Sequence, residues 1–166
     1  MIIKGLQKLT LLDFPGKIAC TVFTGGCNLR CPFCHNALLV TEQDETFIPT
    51  EEFFAFLSER ADRLEGVAIT GGEPLMQKDI ESFIKRIKDM GYAVKLDTNG
   101  TYPDKLKKIL DEKLVDYVAI DIKNSPEKYA VTAGVNNLDV EKVKRSVKIL
   151  MESGVDYEFR TTVPKE

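Results

Sequence analysis

Cys27-Asn28-Leu29-Arg30-Cys31-Pro32-Phe33-Cys34 places three thiols within eight residues, in a C-x3-C-x2-C spacing. A cubane [4Fe–4S] cluster usually takes four cysteine thiolates. Three ligands therefore leave one iron open to a small molecule, much as a catalytic zinc keeps an open position. Pro32 lacks an N–H donor and constrains Cys31 before it, which argues against a continuous helix through the loop. Structural zinc is the competing reading. It needs a fourth ligand, and His35, the only histidine of the chain, would have to bind beside Cys34 in a loop too short for easy tetrahedral closure. Structural zinc sites also usually carry a second paired motif elsewhere, and none exists here. Without any metal, three exposed thiols would invite oxidation. Cys20, in the apolar run Ile18-Ala19-Cys20-Thr21-Val22-Phe23, reads instead as a small buried hydrophobe.

Other polar groups recur after strand-like runs. Gly71-Gly72-Glu73-Pro74 alone is an ordinary glycine turn that starts a helix; beside a metal loop it could offer backbone groups and a carboxylate to an ammonium or hydroxyl. Asp97-Thr98-Asn99-Gly100 is made of normal turn formers. Asp121 and Lys123, two apart at a strand end, share a face and could be a surface ion pair. Arg160 is a charge inside a strand-like run, where an inward role is to be weighed against solvent exposure.

The elements that must position these groups alternate. Strands are expected at Ile18–Thr24, Gly66–Thr70, Tyr92–Leu96, Tyr117–Ile122 and Tyr157–Val163. Helices are expected from a Thr50 cap with Glu51 and Glu52 in its first turn, over Lys78–Met90, from Pro103 to about Glu112, and over Leu138–Ser153. Five strands alternating with helices imply a parallel sheet with crossover helices. Polar residues following several strands favour the barrel type over an open doubly wound sheet, because β/α barrels assemble sites there. Val40–Pro49 reads as a solvated loop that could cover the site.

With 166 residues the chain is expected to be one domain with a substantial core. Charged residues make up 30% and the net charge is −3, so no broad basic field invites nucleic acid, and the mild acidity gives no reason to expect a membrane surface. The first residues lack a signal-peptide pattern and no apolar stretch reaches membrane-spanning length. A cytoplasmic location is the default, and there clustered cysteines favour metal over disulfides.

Cys27-x3-Cys31-x2-Cys34 with Phe33, together with Gly71-Gly72-Glu73-Pro74, resembles the radical S-adenosylmethionine (SAM) superfamily. Asp13-Phe14-Pro15-Gly16, Cys34-His35-Asn36, Asp97-Thr98-Asn99-Gly100 and Asp121-Ile122-Lys123 resemble its glycyl-radical-enzyme activating enzymes, and most of all the anaerobic ribonucleoside-triphosphate reductase activating proteins. The likeness runs from about Leu9 to Pro164.

The resemblance implies a partial (β/α)6 TIM-like barrel and one radical SAM domain over residues 1–166. Its last strand is expected to be missing, as in a C-terminally truncated chain. Cys27, Cys31 and Cys34 would each hold an iron of a [4Fe–4S] cluster, and S-adenosylmethionine would chelate the fourth. Gly71, Gly72 and Glu73 would meet its amino group, and Phe33 its adenine. Asp97, Thr98, Asp121 and Lys123 would surround its carboxylate and ribose, with the acidic pair able to hold a monovalent cation. Asp13 and Arg160 are the candidates to meet an incoming substrate peptide. The implied activity is reductive cleavage of S-adenosylmethionine to form a glycyl radical on a partner enzyme, with a flavodoxin- or ferredoxin-type electron donor. The alternatives are a radical SAM enzyme acting on a small molecule and a non-enzymatic metal-binding module.

Overall fold

Short apolar runs, most of them followed by a helical period, fold into a single sheet whose strands lie in chain order. The computed structural model describes residues 1–41 and 47–163. Its six strands are β1 (Ile3–Thr10), β2 (Ala19–Thr24), β3 (Gly66–Gly71), β4 (Ala93–Thr98), β5 (Tyr117–Asp121) and β6 (Asp156–Arg160). β1 pairs with β2 antiparallel; every later pairing is parallel. Helices α1 (Ala37–Thr41), α2 (Thr50–Ser58), α3 (Ile80–Asp89), α4 (Pro103–Asp111), α5 (Tyr129–Thr132) and α6 (Val140–Met151) fill the connections. This mixed sheet matches the partial barrel of the expected fold class.

Alternation along the strands sorts the side chains between two faces. Val22, Ile69, Val94, Leu96, Val118 and Ile120 join Phe53, Leu57, Ile84 and Leu106 from the helices in one buried cluster. α3 shows the helical counterpart, burying Ile80, Phe83, Ile84 and Ile87 at spacings of three and four. Burial of each such side chain is worth about 1.5–3 kcal/mol. A smaller cluster of Leu29, Tyr129, Ala133 and Val143 lies under the cysteine loop, with Cys27 and Cys31 packed against it.

Several boundaries differ from expectation. β1 has no period-two signal, because its ladder is irregular between Ile3 and Gly5 and between Gln7 and Thr10 and its middle is solvated. Thr50 is the first residue of α2 rather than its cap; Pro49 precedes it and supplies no side-chain hydrogen bond. β6 ends at Arg160, and Thr161–Val163 are exposed coil. The sheet has a sixth strand, but it is the antiparallel β1; among the described residues five strands run parallel. The core of the expected cover over Val40–Pro49, residues 42–46, lies outside the described residues.

Candidate active site

The C-terminal ends of the parallel strands open on a cavity of about 710 Å³. Cys27, Cys31 and Cys34 all line it, as do Phe33, Gly71, Gly72, Asp97, Thr98, Asp121, Lys123, Arg160 and Asp13. Glu73 does not. Cys20 is also elsewhere, fully buried in the helix-side cluster, where burial pushes its thiol up to about 12.

Two long-range clamps hold the cysteine loop. The Arg30 amide donates to the Ala133 carbonyl at 2.9 Å, and Gly134, at φ 67°, approaches so closely that a Cβ there would stand 1.9 Å from the Arg30 oxygen. On the other side the Gly72 amide donates to Thr24 O at 2.9 Å and the Glu73 amide to Gly26 O at 2.8 Å. A Cβ on Gly72 would fall 1.8 Å from Gly26 O, so only glycine lets this strap lie against the loop.

The thiols are free and partly buried. Desolvation pushes Cys27 and Cys31 up, and the nearby Glu73 adds to the effect at Cys27. Among the described residues no three His, Cys, Asp or Glu side chains converge on a point that could hold one metal ion. Three cysteines alone leave a tetrahedral zinc one ligand short. They suit a four-iron cube, which takes one thiolate per iron.

Glu73 is wholly buried. Its carboxylate accepts from Leu75 N at 3.0 Å, Thr98 Oγ1 at 2.8 Å and Asn99 N at 2.7 Å. Burial outweighs these donors and raises its pKa to about 7. The side chain thus fastens β3 to the end of β4, and the expected contact with an amino group can come only from the backbone of this segment or from Gly71 and Gly72.

The opposite wall is ionic. Lys95, 2% exposed, lies 2.7 Å from Asp97 and 3.6 Å from Glu158. Arg160 bridges Asp97 at 3.1 Å and Asp121 at 3.0 Å, and Lys123 meets Asp121 at 3.1 Å. Desolvation opposes the Arg160 charge, but Asp97 and Asp121 outweigh it and raise its pKa. The guanidinium fills the space between the carboxylates expected to hold a monovalent cation. Asp13, also in the lining, accepts from Thr21 Oγ1 at 2.5 Å.

Three residues not singled out from the sequence stand beside the cluster loop, and Asn99 among them lines the cavity. Asn28, Asn99 and Thr101 form a hydrogen-bonded ring beside Cys27. The motif that holds Asn99 marked a turn, and nothing in spacing alone distinguishes an amide aimed at sulfur from one aimed at water.

The sequence profile of the Radical SAM superfamily matches residues 21–166. The chain belongs to the radical SAM superfamily. A Methanocaldococcus jannaschii protein named provisionally as a glycyl-radical enzyme activating enzyme is 34% identical over 99% of this chain and 69% of its own length. The 7-carboxy-7-deazaguanine synthase of Thermoplasma acidophilum is 33% identical over 83% of the chain and 63% of its own length. Native anSMEcpe with bound AdoMet (S-adenosylmethionine) superposes with a TM-score of 0.63 at 20% identity, covering 81% of this chain and 41% of that one. Radical SAM enzymes use a [4Fe–4S] cluster and S-adenosylmethionine, and this chain is such an enzyme. Among the described residues no helix is long and apolar enough to cross a membrane.

Proposed function

We propose that residues 1–166 work as one radical SAM unit that generates a glycyl radical on a partner enzyme, anaerobic ribonucleoside-triphosphate reductase being the first candidate. What carries the reading is that three thiols, a glycine strap and a balanced ionic wall line one cavity. The relative from M. jannaschii, matched over 99% of this chain, supports the activating role.

Cys27, Cys31 and Cys34 would hold three irons of the cluster and leave the fourth to substrate. When bound, the cluster supplies one electron that splits S-adenosylmethionine into methionine and a 5′-deoxyadenosyl radical. This chain's residues bind and orient. Gly71 and Gly72 bring backbone against the methionyl amino group. The Asp97–Arg160–Asp121 bridge offers a fixed pattern of charge to the carboxylate and ribose, and pre-set charge needs no reorganisation during reaction. Phe33 supplies an apolar face for adenine. Asp13 lines the cavity and would meet a glycine-bearing peptide of the partner. A flavodoxin- or ferredoxin-type protein in the cytoplasm would supply the electron.

Anaerobic reconstitution should load about four irons per chain. Incubation with reductant, S-adenosylmethionine and the candidate reductase should then give a glycyl radical signal by electron paramagnetic resonance. Cleavage of S-adenosylmethionine with no such signal on any glycyl radical enzyme would reject the activating role. A second reading, action on a small molecule, draws on the 33% identity to 7-carboxy-7-deazaguanine synthase. Deuterium transfer from a labelled metabolite into 5′-deoxyadenosine would select it.

A further inference from the structure

We propose that Asn99 is a positioning residue that sets the reduction potential of the cluster through a hydrogen bond to the sulfur of Cys27. The inference rests on the reading that Cys27 is a cluster ligand.

The observation is the complete assignment of one buried amide. Asn99 is 6% exposed. Its Nδ2 donates to Cys27 Sγ at 3.8 Å and to Asn28 Oδ1 at 2.9 Å. Its Oδ1 accepts from Thr101 N at 3.0 Å and Thr101 Oγ1 at 2.6 Å. A side-chain amide has two N–H donors and a carbonyl with two lone pairs, so every one of its positions is used. Flipping the amide would set an oxygen against the sulfur and against Asn28 Oδ1, and nitrogen against two donors. Thr101 Oγ1 in turn accepts from Asn28 Nδ2 at 2.9 Å, which closes the ring. The Asn99 backbone is fixed as well, by its 2.7 Å bond to Glu73.

A second donor, Leu29 N, reaches the same sulfur at 3.4 Å. Among the described residues no such pair reaches the other ligands: Cys31 Sγ is turned towards the Ala133 carbonyl at 3.8 Å, an acceptor. The loop therefore presents one sulfur to two donors, one of them on a neutral, hydrogen-bonded ring. Reduction adds one electron to the cluster, from the 2+ to the 1+ state, and the added negative charge spreads onto the thiolates. N–H groups aimed at a thiolate stabilise that more negative state, and hydrogen bonds to the sulfurs are among the factors that set cluster potentials.

The test is a potentiometric titration of anaerobically reconstituted protein with mediators and a low-potential chemical reductant, read by electron paramagnetic resonance and paired with iron analysis. Asn99→Leu keeps the volume and removes the donor. At a fixed poise its ratio of reduced to oxidised cluster should fall about tenfold, ~59 mV for a one-electron couple, at unchanged iron content. Thr101→Val leaves Asn99 in place but frees its amide to turn, and should lower the potential by a smaller step. Thr101→Val alone decides the matter if Asn99→Leu fails to fold. A wild-type potential in the loaded variants overturns the proposal. So does lost iron with the remaining cluster at its original potential, which would mark a purely structural ring. If the wild-type chain takes up no cluster at all, the proposed function fails first and this inference with it.

Discussion

The two walls of the cavity are built on opposite principles. On the cysteine side, Asn28, Asn99 and Thr101 are neutral, buried or half-buried, and their side chains join one another and Cys27. On the far side, Lys123 and Arg160 are interleaved with Asp97 and Asp121, with Lys95 and Glu158 paired to them beyond the lining. A neutral wall can hold a redox group without imposing a large field on it. A charged wall can grip a zwitterion, whose ammonium and carboxylate need opposite partners, and its own charges stay affordable inside the protein because each is paired.

If the cysteine wall alone carries the inorganic group, Cys31→Ala should reduce reconstituted iron from about four per chain to background, by iron and sulfide analysis. Stoichiometric zinc in the wild-type protein, with no cluster signal, would break the comparison outright. Gly72→Ala should be next in size, because its Cβ would collide with Gly26 O. A loss of roughly 3 kcal/mol or more in denaturant unfolding is expected, since a backbone atom cannot swing away as a side chain does.

On the charged wall, Arg160→Gln leaves Asp97 and Asp121 facing each other without their bridge. S-adenosylmethionine affinity of the reconstituted protein should fall about tenfold by calorimetry, ~1.4 kcal/mol. Added potassium or sodium should restore part of it. Affinity indifferent to the substitution would remove the ionic wall from the site.

The seam between the walls is Glu73, and it yields a pH prediction. A carboxyl with its folded pKa raised to about 7 binds more protons in the native than in the unfolded chain between its ordinary value of 4.5 and 7. Stability contributed by this group therefore falls as pH rises through that window, by up to roughly 3 kcal/mol. Glu73→Gln should flatten this part of the curve in urea titrations run at pH 5 and 8. The smallest effect is expected from Cys20→Ala, about 1–2 kcal/mol of core stability at full cluster loading. Equal iron loss from Cys20→Ala and Cys31→Ala would merge two regions that the fold separates.

What could be read from the sequence follows the same division. Ile80, Phe83, Ile84 and Ile87 announce α3 by their spacing, and the apolar runs of β2 to β5 announce the sheet, because burial against a helix face leaves a periodic trace. The thiol spacing and the residues after each strand pointed to one cavity for a related reason: the chain reaches the same end of the barrel once per repeat. β1 escaped because a bulged edge strand with a solvated middle keeps no alternation. The inward placement of Lys95, the withdrawal of Glu73 from the cavity and the closure of Arg160 across two carboxylates left no trace either. Each involves a partner 25 or more residues away on another strand, although Lys95 also meets Asp97 on its own strand.

The clamp between Arg30 and the Ala133–Gly134 segment has a consequence for how the protein is made. Leu29 is seated on Tyr129, Ala133 and Val143, so the ligand loop gains its floor only when residues a hundred or more positions later have emerged from the ribosome. Iron–sulfur insertion into a correctly shaped pocket must follow translation of α6, and a nascent chain paused before it would present loose thiols rather than a nest for the cluster.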